Sequence, residues 1–176
     1  MNRNAIRTLV TGIAIVTSAL FAVGSHAQTD IAASCSAERD ANLAVVLGLY
    51  DTVLNAHDTG TAAAYIASDF VWHTQQAQGL EGFIGFYMGI FGSFPDVART
   101  PSLCIVEDDV VVVYSTIIGT HEGDLLGVPA SGNPIAYTSM DVFRVADGII
   151  VEQWDQGDYL TLFTQIGVIP PLGGGQ

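Results

Sequence analysis

The stretch 149–159, IIVEQWDQGDY, sets three carboxylates at every third position around a tryptophan: Glu152, Asp155 and Asp158. An ionised acid among hydrocarbons is costly unless it is paired. One that is kept there can take and return a proton. Context separates the three. Asp158 follows Gly157 and precedes Tyr159-Leu160-Thr161-Leu162, the place of a helix N-cap. Glu152 reads as a solvated strand residue near Arg144. Asp155 is the candidate acid/base.

Whether Asp155 faces inward depends on the turn Ala146-Asp147-Gly148. A two-residue loop pairs Ala146 with Ile149 and sends Asp141 and Asp155 to opposite faces. A three-residue loop closed by a glycine bulge pairs Val145 with Ile149. It gathers Ile135, Tyr137, Ser139, Asp141, Phe143 and Val145 with Ile149, Val151, Gln153 and Asp155. The second register is expected, because it collects the bulky apolar residues on one inward side. It leaves Thr138, Arg144, Ile150, Glu152 and Trp154 outside.

Proton abstraction beside a carbonyl needs a base and a donor to hold the enolate. Asp155 is the base in this reading, and a protonated Asp141, Tyr137 or His73 is the donor. Ketosteroid isomerase, with an aspartate base, a tyrosine and a neutral aspartic acid, is the chemical analogy. Tyr137, Ser139, Gln153, Trp72, His121, Phe83 and Tyr87 are the candidate substrate-binding residues. A blander account stands beside each: a water-filled cavity mouth for the inward acids, a polar rim for His73 and His121, and a solvated turn for His57. No two histidines stand at i, i+4, so no metal is expected. No Gly-x-Ser-x-Gly elbow occurs, and the glycines of 79–92 open no strand–turn–helix phosphate loop, so no cofactor is expected either.

Four helical segments and a meander must position these residues. Residues 38–56 carry Leu43, Val46, Leu47, Tyr50, Val53 and Leu54 at helical spacing. A short helix is expected over 61–67, a strand over 69–73, and an aromatic-faced helix over 79–91. Strands follow at 97–106, 110–120, 135–145 and 149–155, then a last helix at 158–166. The strand at 110–120 is apolar on both faces, as a central strand would be. Helices first and an antiparallel meander afterwards is an α+β arrangement.

The chain has 176 residues, a formal charge of −13 and no lysine. Arg3 and Arg7 precede an apolar run of about 15 residues, and Ser25-His26-Ala27 offers small residues for cleavage, so residues 1–27 read as a signal peptide. A membrane anchor and a lipid at Cys35 are the alternatives. Residues 28–37 read as a flexible lead-in, 38–168 as one domain, and 169–176 as a Pro/Gly-rich tail. Export to the periplasm or medium follows, with no stable membrane insertion after cleavage. Such an acidic chain repels phosphate backbones, so nucleic acid is a poor partner. Cys35 and Cys104 could pair in an oxidising compartment, or remain two buried thiols.

The run from Gly119 to Gly167, the segment SDFVWHTQ and residues 79–96 together resemble the SnoaL-like polyketide cyclases. The resemblance implies a nuclear-transport-factor-2-like fold, a curved antiparallel sheet wrapped on helices as a cone with an internal apolar pocket. It implies that Asp155, eleven residues after Arg144, is the general acid/base of an intramolecular aldol closure. The family's histidine and glutamine fall on Asp141 and Ser139, so the chain departs there. The function expected is a cofactor-independent cyclase or isomerase acting on a small apolar carbonyl or ester. The alternatives are a binding module for a small apolar ligand and a structural homodimer subunit joined through residues 110–118.

Overall fold

The computed structural model describes residues 34–170. The expected signal peptide, most of the lead-in and the end of the tail lie outside them.

Helix α1 (Ala41–Leu49) starts at Asp40, whose carboxylate accepts from the amides of Asn42 at 2.7 Å and Leu43 at 3.2 Å. Those amides would otherwise lack partners. The helix does not run on uniformly. It widens into a π-helical segment, Tyr50–Asn55, a form often found at functional sites. Leu43, Val46, Leu49, Tyr50, Val53 and Leu54 are all buried. In place of the helix expected over 61–67 there is a 3₁₀ helix, Thr59–Ala64, capped by Asp58. Strand β1 (Ile66–Trp72) therefore begins earlier than expected. His57 is not merely solvated: its ring stacks on Phe91 at 4.3 Å and its Nε2 lies 2.7 Å from the Val97 carbonyl.

Helix α2 (Gly79–Ser93) is followed by β2 (Ala98–Glu107), β3 (Val110–Thr120), β4 (Pro134–Ala146), β5 (Ile149–Gly157) and α3 (Tyr159–Gln165). The strands form one curved, unclosed sheet in the order β1-β5-β4-β3-β2, with β1 parallel to β5 and the other pairs antiparallel. This is the α+β cone that the sequence suggests. Strand β3 is paired on both sides, and its inward residues Val111, Val113, Ser115 and Ile117 are buried. Its other face is partly open, with Ile118 exposed. A Cys35–Cys104 disulfide ties the start of the domain to β2 across 69 residues. Closing a loop of that size stabilises the fold by about 4 kcal/mol in the chain-entropy model.

The β4–β5 hairpin corrects the expected register. Ala146 pairs with Ile149, around a two-residue turn in which Asp147 (φ 51°) and Gly148 (φ 78°) are both left-handed. The offset arises one step later. Val145 pairs with Ile150 and Arg144 with Glu152, so Val151 is an extra residue, a β-bulge. Ile150 consequently turns inward and is fully buried, whereas the expected register put it outside. Beyond the bulge Phe143 faces Gln153 and Asp141 faces Asp155. The two aspartates share the inner face, by a different device from the one expected.

Candidate active site

Cross-strand partners point to one face of a sheet. Three successive inward rows build the site. Arg99, Ile117 and Tyr137 form one across β2, β3 and β4. Ser115, Ser139 and Gly157 form the next, and Val113, Asp141 and Asp155 the third. Helix α2 closes over these rows with Phe86 and Tyr87, and Trp72 arrives from the end of β1 beside Gln153. The turn after β1 is clamped by Gln78, whose amide donates to the Trp72 carbonyl and accepts from the Trp72 amide.

The hollow between them has two parts. An inner chamber of about 20 Å³ is lined by Trp72, Tyr87, Arg99, Tyr137, Asp141 and Asp155, among others. It has room for about one water. An outer chamber of about 300 Å³ is walled by Ile90, Phe94, Leu125, Leu126, Leu162 and Phe163. Phe86, Arg99, Tyr137 and Tyr159 border both. A larger hollow of about 720 Å³ lies elsewhere, beside Arg39, Asp40 and Asp108, and none of the candidate residues lines it.

Asp141 is 3% exposed. Its carboxylate accepts from Tyr50 Oη at 2.7 Å, Ser139 Oγ at 3.2 Å and Gln153 Nε2 at 3.2 Å. Arg99 Nη1 stands 3.9 Å away. Burial pushes its carboxyl above the usual aspartate range, against the opposing pull of Arg99 and the Tyr50 hydrogen bond. Asp155 is half-buried. Its Oδ1 accepts from Trp72 Nε1 at 2.6 Å and from Thr74 Oγ1, and its Oδ2 from Tyr159 Oη at 3.1 Å. Burial raises the phenols of Tyr87, Tyr137 and Tyr159, so all three stay protonated donors near neutral pH.

The structure brings Asp155, Asp141, Tyr137, Ser139, Trp72 and Tyr87 around one cavity. Asp155 bonds to none of the candidate enolate donors Tyr137, His73 and Asp141; its side-chain partners are Trp72, Thr74 and Tyr159. Gln153 lies behind Asp141 as its donor. Phe83 is packed under Trp72 and Phe70 in the core, not on the cavity wall. His73 is on the outer side of the sheet, because Trp72 points in and its neighbour must point out. Its ring stacks on Trp154 at 4.2 Å and its Nε2 lies 2.6 Å from Glu152. His121 is buried against Phe94, and its Nδ1 accepts from the Ser131 amide. Neither histidine lines either chamber. Asp158 caps α3 through the Thr161 amide, and Glu152 pairs with Arg144 on the outside, as expected.

Sequence reading missed Arg99, Tyr50, Thr74 and Tyr159. Arg99 escapes parity because β2 carries an irregularity between Pro101 and Leu103. Arg99 and Cys104, of opposite parity, therefore both face inward. A usable signal was the rarity of cations in an acid-rich chain: an arginine inside an apolar strand calls for an explanation.

The family model for SnoaL-like polyketide cyclases matches residues 44–166. The chain is 25% identical over 130 residues to aklanonic acid methyl ester cyclase of Streptomyces sp. strain C5, covering 69% of this chain and 81% of that one. It is 26% identical over 104 residues to the enzyme of that name from Streptomyces peucetius, covering 58% and 72%. A Jannaschia sp. CCS1 structure assigned to the SnoaL-like polyketide cyclases superposes with a TM-score of 0.68 at 31% identity, covering 74% of this chain and 94% of that one. IdmH of Streptomyces antibioticus, assigned as a polyketide cyclase, superposes at 0.64 and 31%, covering 72% and 99%.

Proposed function

We propose, from the premise that the chain belongs to the SnoaL-like polyketide cyclase family, that it closes a ring in an apolar carbonyl or ester substrate by an intramolecular aldol reaction with Asp155 as acid/base. The observation that carries this is the Asp155 carboxylate. It borders the inner chamber and is fixed by donors from three separate places: β1, the turn after it, and α3. A base held in one geometry by several donors needs little rearrangement when it reacts.

The Asp155 carboxylate takes the proton from a carbon beside a carbonyl, and the carbon–hydrogen pair becomes the enolate. The phenols of Tyr87 and Tyr137 border the inner chamber and are available to donate to the enolate oxygen. The enolate carbon then forms a bond to a second carbonyl carbon of the same molecule. The alkoxide so made takes the proton back from the Asp155 carboxylic acid. Nothing is oxidised or reduced, so no cofactor is required. The inner chamber admits only the reacting edge, and the apolar outer chamber takes the body of the substrate.

Incubation with aklanonic acid methyl ester and with simpler aryl diketo esters, followed by mass spectrometry and NMR, tests this. Cyclised product is expected with wild type and not with Asp155→Asn. Equal product from the two sinks the role given to Asp155. Export belongs to the same proposal, and the Cys35–Cys104 bridge supports it, since disulfides persist in oxidising compartments. N-terminal sequencing of protein from the periplasm or medium should find a start near Gln28. Protein retained in the cytoplasm and still beginning at Met1 would refute export.

A further inference from the structure

Arg99 has no part in the proton transfer just described, yet its guanidinium is the cationic group on the wall of either chamber among the described residues. Its side chain is 11% exposed. A guanidinium carries five donors in a rigid fork and stays charged at any relevant pH. Among the described residues none of the five makes a hydrogen bond. The nearest anion, Asp141 Oδ2, is 3.9 Å away and already accepts from Tyr50 and Ser139. The Tyr87 ring supports the guanidinium from one side, 5.6 Å from its centroid.

A cation largely removed from water with its donors open is costly by itself. Asp141 offsets the charge but leaves the fork open. The open fork meets the cavity where the polar inner chamber joins the apolar outer one. Its geometry fits two oxygens sharing one negative charge.

We propose that Arg99 is an anion-recognition residue, and that the substrate is an apolar molecule carrying a two-oxygen delocalised anion, either a carboxylate or the enolate of a 1,3-dicarbonyl. This rests on the cyclase reading for the word substrate, but the site itself does not depend on turnover. The anion lies in the fork of Arg99 and the hydrocarbon against Phe94, Leu125 and Phe163. Asp141 and Asp155, both on the inner chamber, repel the same anion, which keeps the charged end on the outer-chamber side of Arg99.

Calorimetric titration of the full mature protein with matched probes tests it. The probes are 3-(2-naphthyl)propanoate against its methyl ester, and 1-phenylbutane-1,3-dione against 4-phenylbutan-2-one. Wild type should bind the acid more tightly than the ester by about 10- to 100-fold, the range for hydrogen bonds to a charged group. Binding of the diketone should tighten as pH rises through its ionisation, while that of the carboxylate stays level from pH 6 to 9. Preference for the carboxylate alone, or for the diketone alone, identifies the source of the anion and supports the proposal. Arg99→Gln should erase the preference. Because that change strands Asp141, the paired variant Arg99→Gln/Asp141→Asn is tested beside it and should behave alike. Asp155→Asn should keep the preference. Ester bound as tightly as acid by wild type, or a preference that survives in the paired variant, overturns the role of Arg99. That failure leaves the proton-transfer reading standing, and loss of turnover in Asp155→Asn tests that reading separately.

Discussion

Asp141 and Asp155 stand directly opposite each other on neighbouring strands, yet they occupy different halves of the site. Asp141 is in the sealed half. Its donors are Tyr50, Ser139 and Gln153, all inside the domain, and the α1 and α2 core packs around it. Asp155 is at the rim, held by Trp72, Thr74 and Tyr159, and two of those sit in a turn and the last helix. The same residue type on the same row is an interior strut in one place and a reachable base in the other. Inward orientation by itself does not make an acid catalytic. What counts is whether lone pairs remain accessible to a substrate.

The sharpest way to break this contrast is to neutralise each acid in turn. Asp155→Asn should lower turnover by about 10²- to 10⁴-fold, the usual contribution of a general acid/base. The melting temperature should change little, because asparagine still accepts from Trp72. Asp141→Asn should leave a far larger share of activity. Turnover on the aryl diketo ester probe, alongside thermal melts, measures both. Equal losses would mean that the two halves act as one dyad and that the distinction is false.

How much of this was legible in the sequence turns on two bulges. The helices, the meander and the inward set on β4 follow from periodicity, which survives wherever a strand is regular. Asp155 and Arg99 each lie across an irregularity from the residues that set their strand's phase: Val151 in β5, and the step between Pro101 and Leu103 in β2. One extra residue reverses every assignment beyond it. For β5 a bulge was expected at the turn, so Asp155 was assigned to the correct face while Ile150 was not. For β2 none was expected, and Arg99 was passed over. Tyr159 and Thr74 were missed because they come from a helix start and a turn, where periodicity says nothing about which long-range partner will be met.

Tyr50→Phe sharpens the contrast from the sealed side. The phenol is buried and its oxygen donates to Asp141 at 2.7 Å. Deleting it leaves a buried carboxylate short of one donor, a loss of about 1–3 kcal/mol in folding stability. Urea unfolding measures it. Removing a rim donor with Tyr159→Phe should cost less, since Asp155 is only half-buried, Tyr159 is exposed and water can replace the phenol. The reverse order would make the rim the more constrained half.

The pH dependence of stability is a smaller effect with a definite sign. Burial raises the folded-state carboxyl of Asp141 above its value in the unfolded chain. Between those two values the native state binds more protons than the unfolded one, so stability falls as pH rises across the window. The contribution is full below the unfolded value, about 3.9, and is lost as pH passes the folded value. Asp141→Asn cannot titrate. The stability of wild type relative to Asp141→Asn should therefore decline from pH 4 upward and then level off. A difference that grows with pH would mean that Arg99 outweighs burial.

The least effect is expected from His73, and its smallness is informative. His73 follows Trp72 and so lies next in sequence to a residue that touches Asp155, but it projects from the opposite side of the sheet. Its side chain is 36% exposed, stacked on Trp154 and paired with Glu152. Exposed pairs of this kind contribute about 0–1 kcal/mol. His73→Gln should thus change urea stability by less than about 1 kcal/mol, and leave both turnover and its pH profile as in wild type. A shifted pH profile would show that the outer face reaches the cavity chemistry through Trp72. An unchanged profile confines that chemistry to the inner face, where the bulge at Val151 turns Asp155.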